Sequence, residues 1–223
     1  MTRDDEKRAA ALAAMAFVQR GQTIGVGTGS TADFFIAGLA ANPGLVVAAV
    51  PSSEASAAAL RAAGIPVLDP TEAPLRLPLY VDGADEVDPE LRLIKGRGGA
   101  HTREKTLATA AELFVCIVDE TKLVARLGVA PLPLEVVPWS APFVAQQVAA
   151  MGGRPAARPG FLTDNGNLVL DVTALDLTDA TAAELELDAI PGVVECGLFA
   201  RRRADAVLVA GPDGDRTLRR LPA

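Results

Sequence analysis

Three short stretches hold residue types whose spacing could do chemistry. The first, Gly25-Val26-Gly27-Thr28-Gly29-Ser30-Thr31, lies between a strand-like and a helix-like segment. Glycines allow a tight turn there, while hydroxyls and helix-start N–H groups face any anion. No Gly-Lys-Ser/Thr ending follows, so it is not a P-loop, and Ser30 stands where a dinucleotide fingerprint needs its third glycine. A phosphate cradle for a small molecule remains, against a plain tight turn with a Ser/Thr cap. The second stretch is Asp82-Gly83-Ala84-Asp85-Glu86-Val87-Asp88. Its acids are not spaced as an EF-hand loop requires. Asp82 and Asp85 instead flank a Gly-Ala bend, where two carboxylates suit sugar hydroxyls as acceptors or proton shuttles; a solvated acidic turn is the alternative. The third runs Lys95-Gly96-Arg97-Gly98-Gly99-Ala100-His101-Thr102-Arg103-Glu104-Lys105. Lys95 could stabilise a developing oxyanion. Glu104 is a candidate general base, a role worth roughly 10²–10⁴-fold, although a first-turn Glu also simply complements the helix dipole. His101 is the rival base, with a pKa nearer neutrality, or a structural histidine beside the helix start.

Cation usage points to the same stretches. Arginines outnumber lysines 17 to four, and the four are Lys7, Lys95, Lys105 and Lys122. A chain so biased towards Arg keeps Lys where a compact, mobile ammonium serves better than a planar guanidinium, unless codon bias left four survivors at random. A net charge of −7 over 223 residues argues against a nucleic-acid partner. A hydrophobic content of 50% excludes disorder. Mixed charges before Ala9 read as the start of an amphipathic helix, not as a signal peptide or a membrane span. Cys116 and Cys196 lie in apolar runs and read as buried free thiols of a cytoplasmic protein, not as a disulfide or a metal pair.

The elements that must position these residues alternate. Strands are expected at 22–26, 45–50, 65–68, 78–82 and 113–118. Helices are expected from a Ser30 or Thr31 cap to about Ala41, up to about Ala63, and from Thr102 to Glu112. That order predicts a Rossmann-like, doubly wound parallel sheet, whose ligands collect beyond the C-terminal strand ends. From about Pro131 the pattern becomes strand (133–137), helix (141–151), a hairpin turning at Asp164-Asn165-Gly166 between 161–163 and 168–172, helix (178–189) and strand (193–199). A Thr181–Glu184 capping box is expected in the second of these helices. This is the order of a ferredoxin-like, split βαβ α+β module. With 206–210 returning to the first sheet, the expected division is 1–130 plus 205–223 for the Rossmann-like domain and 131–204 for the inserted module.

Taken together, the motifs resemble ribose-5-phosphate isomerase, type A. The family's Gly-x-Gly-Thr-Gly-Ser-Thr stands at 25–31, Tyr-Val-Asp-Gly-Ala-Asp-Glu at 80–86, and a glycine-rich segment ending in Arg-Glu-Lys at 95–105. Pro-Leu-Pro-Leu-Glu-Val at 131–136, Thr-Asp-Asn-Gly-Asn at 163–167, Ile-Pro-Gly-Val-Val at 190–194 and Gly-Leu-Phe-Ala at 197–200 extend the match. The resemblance implies interconversion of D-ribose 5-phosphate and D-ribulose 5-phosphate through a cis-enediolate, in the pentose phosphate pathway, without metal or organic cofactor. It implies Glu104 as the base, with Asp82, Asp85 and Lys95 managing ring opening and the enediolate oxygens. Substrate contacts are implied at Thr28, Gly29, Ser30, Thr31, Lys7 and Lys122, and along Gly83, Ala84, Gly96, Arg97 and Gly98. A homodimer or homotetramer is implied as well. Arg97 stands where the family usually has Gly, with an outward side chain expected, and His101 stands where it usually has an apolar residue. A non-catalytic sugar-phosphate sensor is the rival of another class, but it needs an output segment for which the matched chain leaves no room. An amino-sugar phosphate deaminase is a further rival that Asp-Gly-Ala-Asp with Arg-Glu-Lys does not fit.

Overall fold

The computed structural model describes residues 2–74, 76–211, 214 and 216–219. In chain order the elements are α1 (Arg3–Ala14), β1 (Gln22–Val26), α2 (Ser30–Ala40), β2 (Val46–Pro51), α3 (Glu54–Ala62), β3 (Leu77–Asp82), β4 (Glu86–Val87), β5 (Leu93–Ile94), α4 (His101–Ala110) and β6 (Ala111–Asp119). Then come β7 (Leu132–Val136), α5 (Ala141–Ala150), β8 (Arg154–Ala157), β9 (Leu168–Thr173), α6 (Ala180–Asp188), β10 (Val193–Cys196), β11 (Leu198–Phe199), β12 (Ala206–Ala210) and β13 (Arg216–Arg219). They cluster into two compact units, one of 1–84, 103–122 and 204–223, the other of 85–102 and 123–203. The segment 85–102, placed by the sequence with the first domain, thus clusters with the second. The expected run to 223 extends past the last described residue, Arg219.

The first unit is a six-stranded sheet in the order β13-β12-β6-β3-β1-β2. All its pairs are parallel except β12 with the edge strand β13. Its inner strands β3, β6 and β12 are almost wholly apolar and buried, as a sheet covered on both faces requires. Ile24, Val26, Leu79, Val81, Val115 and Ile117 are buried in one cluster with Ala10, Ala11 and Ala14 of α1 and Phe35, Ile36 and Leu39 of α2. From β1 the chain crosses to β2 on one side, then returns to β3 on the other. The strand order therefore reverses between β1 and β3, the topological position at which ligands of such sheets collect. Residues 65–68 make a single bridge, Ala49 with Val67, because Pro66 has no N–H to donate.

In the second unit β7-α5-β8-β9-α6-β10 forms an antiparallel sheet in the order β10-β7-β9-β8, the ferredoxin-like arrangement expected. The hairpin partner of β9 is Arg154–Ala157, not 161–163. Pairing stops where the Arg158 side chain clamps Asp171 (2.9 and 2.6 Å) and Pro159 removes a donor. The expected turn does form, with Gly166 N donating to Thr163 O at 2.9 Å, but inside a loop. The capping box is also replaced. Asp179 caps α6 by accepting from Ala182 N, while Glu184 is buried and accepts from Ala200 N and Arg201 N. Two short strands absent from the sequence reading, β4 and β5, join β11 in a three-stranded sheet.

Candidate active site

At the switch point of the first unit, the turn after β1 is tied to the last residue of β3. Gly27 N donates to Val81 O at 2.8 Å, and Thr28 N donates to Asp82 Oδ1 at 3.2 Å. Gly83 N donates to the same oxygen at 2.7 Å. Gly27 is required by close approach, since a Cβ there would lie 1.9 Å from Asp82 Oδ1. The expected Ser30 or Thr31 cap is not formed. Gly29, at φ 98°, is the N-cap of α2, and no side chain caps the helix. Glycine's positive φ makes the entry turn, so Ser30 and Thr31 become the first helical residues and the first-turn N–H groups are not covered by a cap. Ser53, at the start of α3, donates its Oγ to Thr28 Oγ1 at 2.9 Å, a contact missed in the sequence reading. Its signal was topological, because β1 and β2 are parallel neighbours and the loops that follow them lie side by side.

Asp82 is wholly buried and accepts on Oδ2 from the phenol of Tyr80. The Tyr80 hydroxyl is held well above its ordinary pKa, first by burial and then by the negative charges of Asp82 and Glu104. Glu104, in the first turn of α4, is itself only 4% exposed. Asp82 thus bonds the buried phenol directly, and the charge of Glu104 acts on the same hydroxyl. The neighbouring Arg103 pairs with Glu54 at 3.0 Å, which orients this turn against the start of α3. Lys7 is half-buried beside Asp4 at 3.4 Å, and Lys122 ends the short helical turn that follows β6.

In the second unit the acidic segment proves to be a set of anchors. Asp85 Oδ2 accepts from Arg97 N at 3.0 Å, fixing the glycine loop. Glu86 accepts from Gly128 N at 2.7 Å and from Ala130 N, and buried Asp88 holds Arg92 Nε at 2.6 Å. Lys95 is buried, with its Nζ 5.6 Å from the centre of the Phe199 ring. Close approach fixes Gly197 too, since a Cβ there would lie 2.3 Å from Lys95 O. The Arg97 side chain is exposed, as expected, and its carbonyl accepts from Arg158 Nη1 at 2.9 Å. His101 is fully buried. Its Nε2 accepts from Glu135 N at 3.1 Å and lies 3.2 Å from Glu195 O, so the ring wedges between β7 and β10 where their register shifts.

Glu135 was not singled out by sequence, although a charge inside Leu-Pro-Leu-Glu-Val signals a buried partner set. Its carboxylate collects Thr163 Oγ1 (2.8 Å), Asn165 Nδ2 (3.0 Å), Asn167 Nδ2 (2.8 Å) and the Thr102 hydroxyl. Burial alone would raise its pKa, but the four donors outweigh burial and hold it below the ordinary glutamate value. Among the described residues one group, Glu184, Asp188 and Cys196, has metal-like spacing; Glu184 is already committed to backbone N–H groups. Both cysteines are buried and neither forms a disulfide. No helix among the described residues is long and apolar enough to cross a membrane.

Fold and site define a class first: a Rossmann-like α/β protein with buried carboxylates, not a nucleotide loop, at its switch point. The profile of ribose 5-phosphate isomerase A (phosphoriboisomerase A) matches residues 48–214. The chain belongs to that family. Ribose-5-phosphate isomerase A of Bordetella avium is 52% identical over 224 aligned residues, covering 99% of this chain and 100% of the relative. The crystal structure of ribose 5 phosphate isomerase A from Neisseria gonorrhoeae superposes with a TM-score of 0.96 at 42% identity, covering 99% of each chain. A D-ribose-5-phosphate isomerase solved in complex with phospho-erythronic acid superposes at 0.94 with 35% identity, covering 99% of this chain and 100% of the other.

Proposed function

We propose that the chain is an aldose–ketose isomerase interconverting D-ribose 5-phosphate and D-ribulose 5-phosphate in the non-oxidative pentose phosphate pathway. The observation that carries this reading is the buried Asp82 carboxylate, bonded to Tyr80 and to the glycine turn, with buried Glu104 close enough for its charge to act on the same phenol. Isomerisation needs one base that removes a proton and returns it to the adjacent carbon. Glu104 takes the C2 proton of the open-chain aldose and delivers it to C1 of the cis-enediolate, which gives the ketose. Asp82, Asp85 and Lys95 handle ring opening and the enediolate oxygens, with Lys95 as the cation for developing negative charge. The phosphate is read by Thr28, Gly29, Ser30 and Thr31 at the uncapped start of α2, with Lys7 and Lys122. Gly83, Ala84, Gly96, Arg97 and Gly98 line the sugar. Remote binding of the phosphate positions the reacting carbons.

The binding of phospho-erythronic acid by a structural relative supports a phosphorylated sugar chain as ligand, and the proposed chemistry uses side chains alone. A cytoplasmic homodimer or homotetramer completes the proposal. It is tested by following ribose 5-phosphate in deuterated buffer by NMR. Ketose carrying solvent deuterium at C1 is the expected result; no ketose at any pH from about 6 to 9, where a carboxylate base stays ionised, overturns it.

A further inference from the structure

We propose that Tyr80, the chain's single tyrosine, is a positioning residue for the isomerisation, acting on substrate only through Asp82. This rests on the reading of Asp82 as a carboxylate that handles substrate. Tyr80 and Asp82 stand two residues apart on β3, so their side chains share one face of the strand. Tyr80, like Asp82, is 0% exposed, and its one hydroxyl proton is committed to the Asp82 carboxylate. Its hydroxyl donates to Asp82 Oδ2, while Thr28 N and Gly83 N hold Oδ1. Two backbone donors on one oxygen and a phenol on the other fix both the place and the roll of the carboxylate. An ionised carboxylate offers about four acceptor positions, and these three donors engage both of its oxygens.

The phenol is held as firmly as the carboxylate. Its ring packs on Phe114 with centroids 5.3 Å apart, and a Cβ at Gly25 would come within 2.7 Å of its Cδ2. Phenylalanine would fill that space equally well. A hydroxyl buried there is costly unless its hydrogen bond is used, so the bond to Asp82 is what tyrosine adds. Burial with the charges of Asp82 and Glu104 keeps the phenol protonated, hence a donor, through the working pH range.

The test is a double-mutant cycle of Tyr80→Phe and Asp82→Asn, read as kcat and KM separately. The expected result is a loss of about 10–100-fold in kcat for Tyr80→Phe, with KM within about threefold of the parent. In the Asp82→Asn background, the same change should cost less than about twofold. If Asp82→Asn loses activity while Tyr80→Phe keeps full kcat, the positioning role is overturned and Asp82 stands. Losses that simply multiply also overturn it, because Tyr80 would then act independently of Asp82. Full turnover by Asp82→Asn removes the underlying reading and this proposal with it. Should Tyr80→Phe fail to fold, the parent protein still decides through the absorbance of its one tyrosine. No tyrosinate before alkaline unfolding is expected, whereas ionisation of the folded protein near the ordinary value of about 10 overturns the buried donor.

Discussion

Replacing Gly27 with alanine tests how tightly the switch point is built. The new Cβ would fall 1.9 Å from Asp82 Oδ1, 2.0 Å from Cγ and 2.5 Å from Cβ. Ordinary contact begins near 3.4 Å, so the carboxylate must retreat by about 1.5 Å, or the turn must open by as much. Either movement breaks the 3.2 Å bond from Thr28 N, and a shift of Asp82 also strains the 2.7 Å bond from Gly83 N. Hydrogen bonds to a charged acceptor contribute about 1.5–3 kcal/mol each. With partial relaxation, the variant should lose about 2–5 kcal/mol of stability, and kcat should fall together with the displaced Asp82. Gly29→Ala is the internal comparison. Nothing lies within 4 Å of its Cβ, but φ 98° and ψ 172° form a conformation that only glycine adopts readily. That strain is worth about 1–3 kcal/mol, and the effect should appear mainly in KM, because it redirects the entry to α2. Urea unfolding with steady-state kinetics on both variants separates the two cases. A Gly27→Ala protein within about 1 kcal/mol of the parent and with unchanged kcat would refute the account of Asp82 as a fixed carboxylate.

Two further outcomes follow from the second unit. The folded Glu135 carboxyl titrates below its unfolded value, so its contribution is present above the ordinary glutamate range and fades as pH falls through the folded pKa. Glu135→Gln should therefore cost about 2–4 kcal/mol near pH 7, and the gap from the parent should narrow as pH falls below the ordinary glutamate range; a gap that does not depend on pH in chemical denaturation would contradict this. His101→Leu should lose about 1–3 kcal/mol by orphaning Glu135 N–H while kcat stays within about threefold, and a collapse of kcat in a folded variant would restore His101 as the rival base.

Much of this architecture was legible in the sequence because its signals are local. Apolar runs such as 113–118 continue on both faces, which marks strands of a covered parallel sheet, and the glycine turn and Arg-Glu-Lys sit where strand becomes helix. The less legible features are the non-local ones. Tyr80 reads as one more apolar strand residue until its hydroxyl is seen on Asp82. Glu135 gathers donors from 102 and 163–167, which no spacing rule connects. The hairpin was misplaced because Phe161-Leu162-Thr163 has strand-like composition, whereas the true partner strand contains Pro155 and ends at Ala157. The Thr181–Glu184 pattern satisfies the capping-box spelling, yet Glu184 faces inward to bind the backbone at 200–201. In each case a tertiary partner outweighed a local preference.

The central claim is that one buried carboxylate, Glu104, carries the proton between adjacent carbons. Glu104→Gln keeps the side-chain volume in a place only 4% exposed, so loss of the base can be measured without loss of packing. Turnover of ribose 5-phosphate to ketose should drop by about 10²–10⁴-fold, with calorimetric affinity for the substrate within about threefold of the parent. Near-normal turnover in a folded, substrate-binding Glu104→Gln protein would contradict the account.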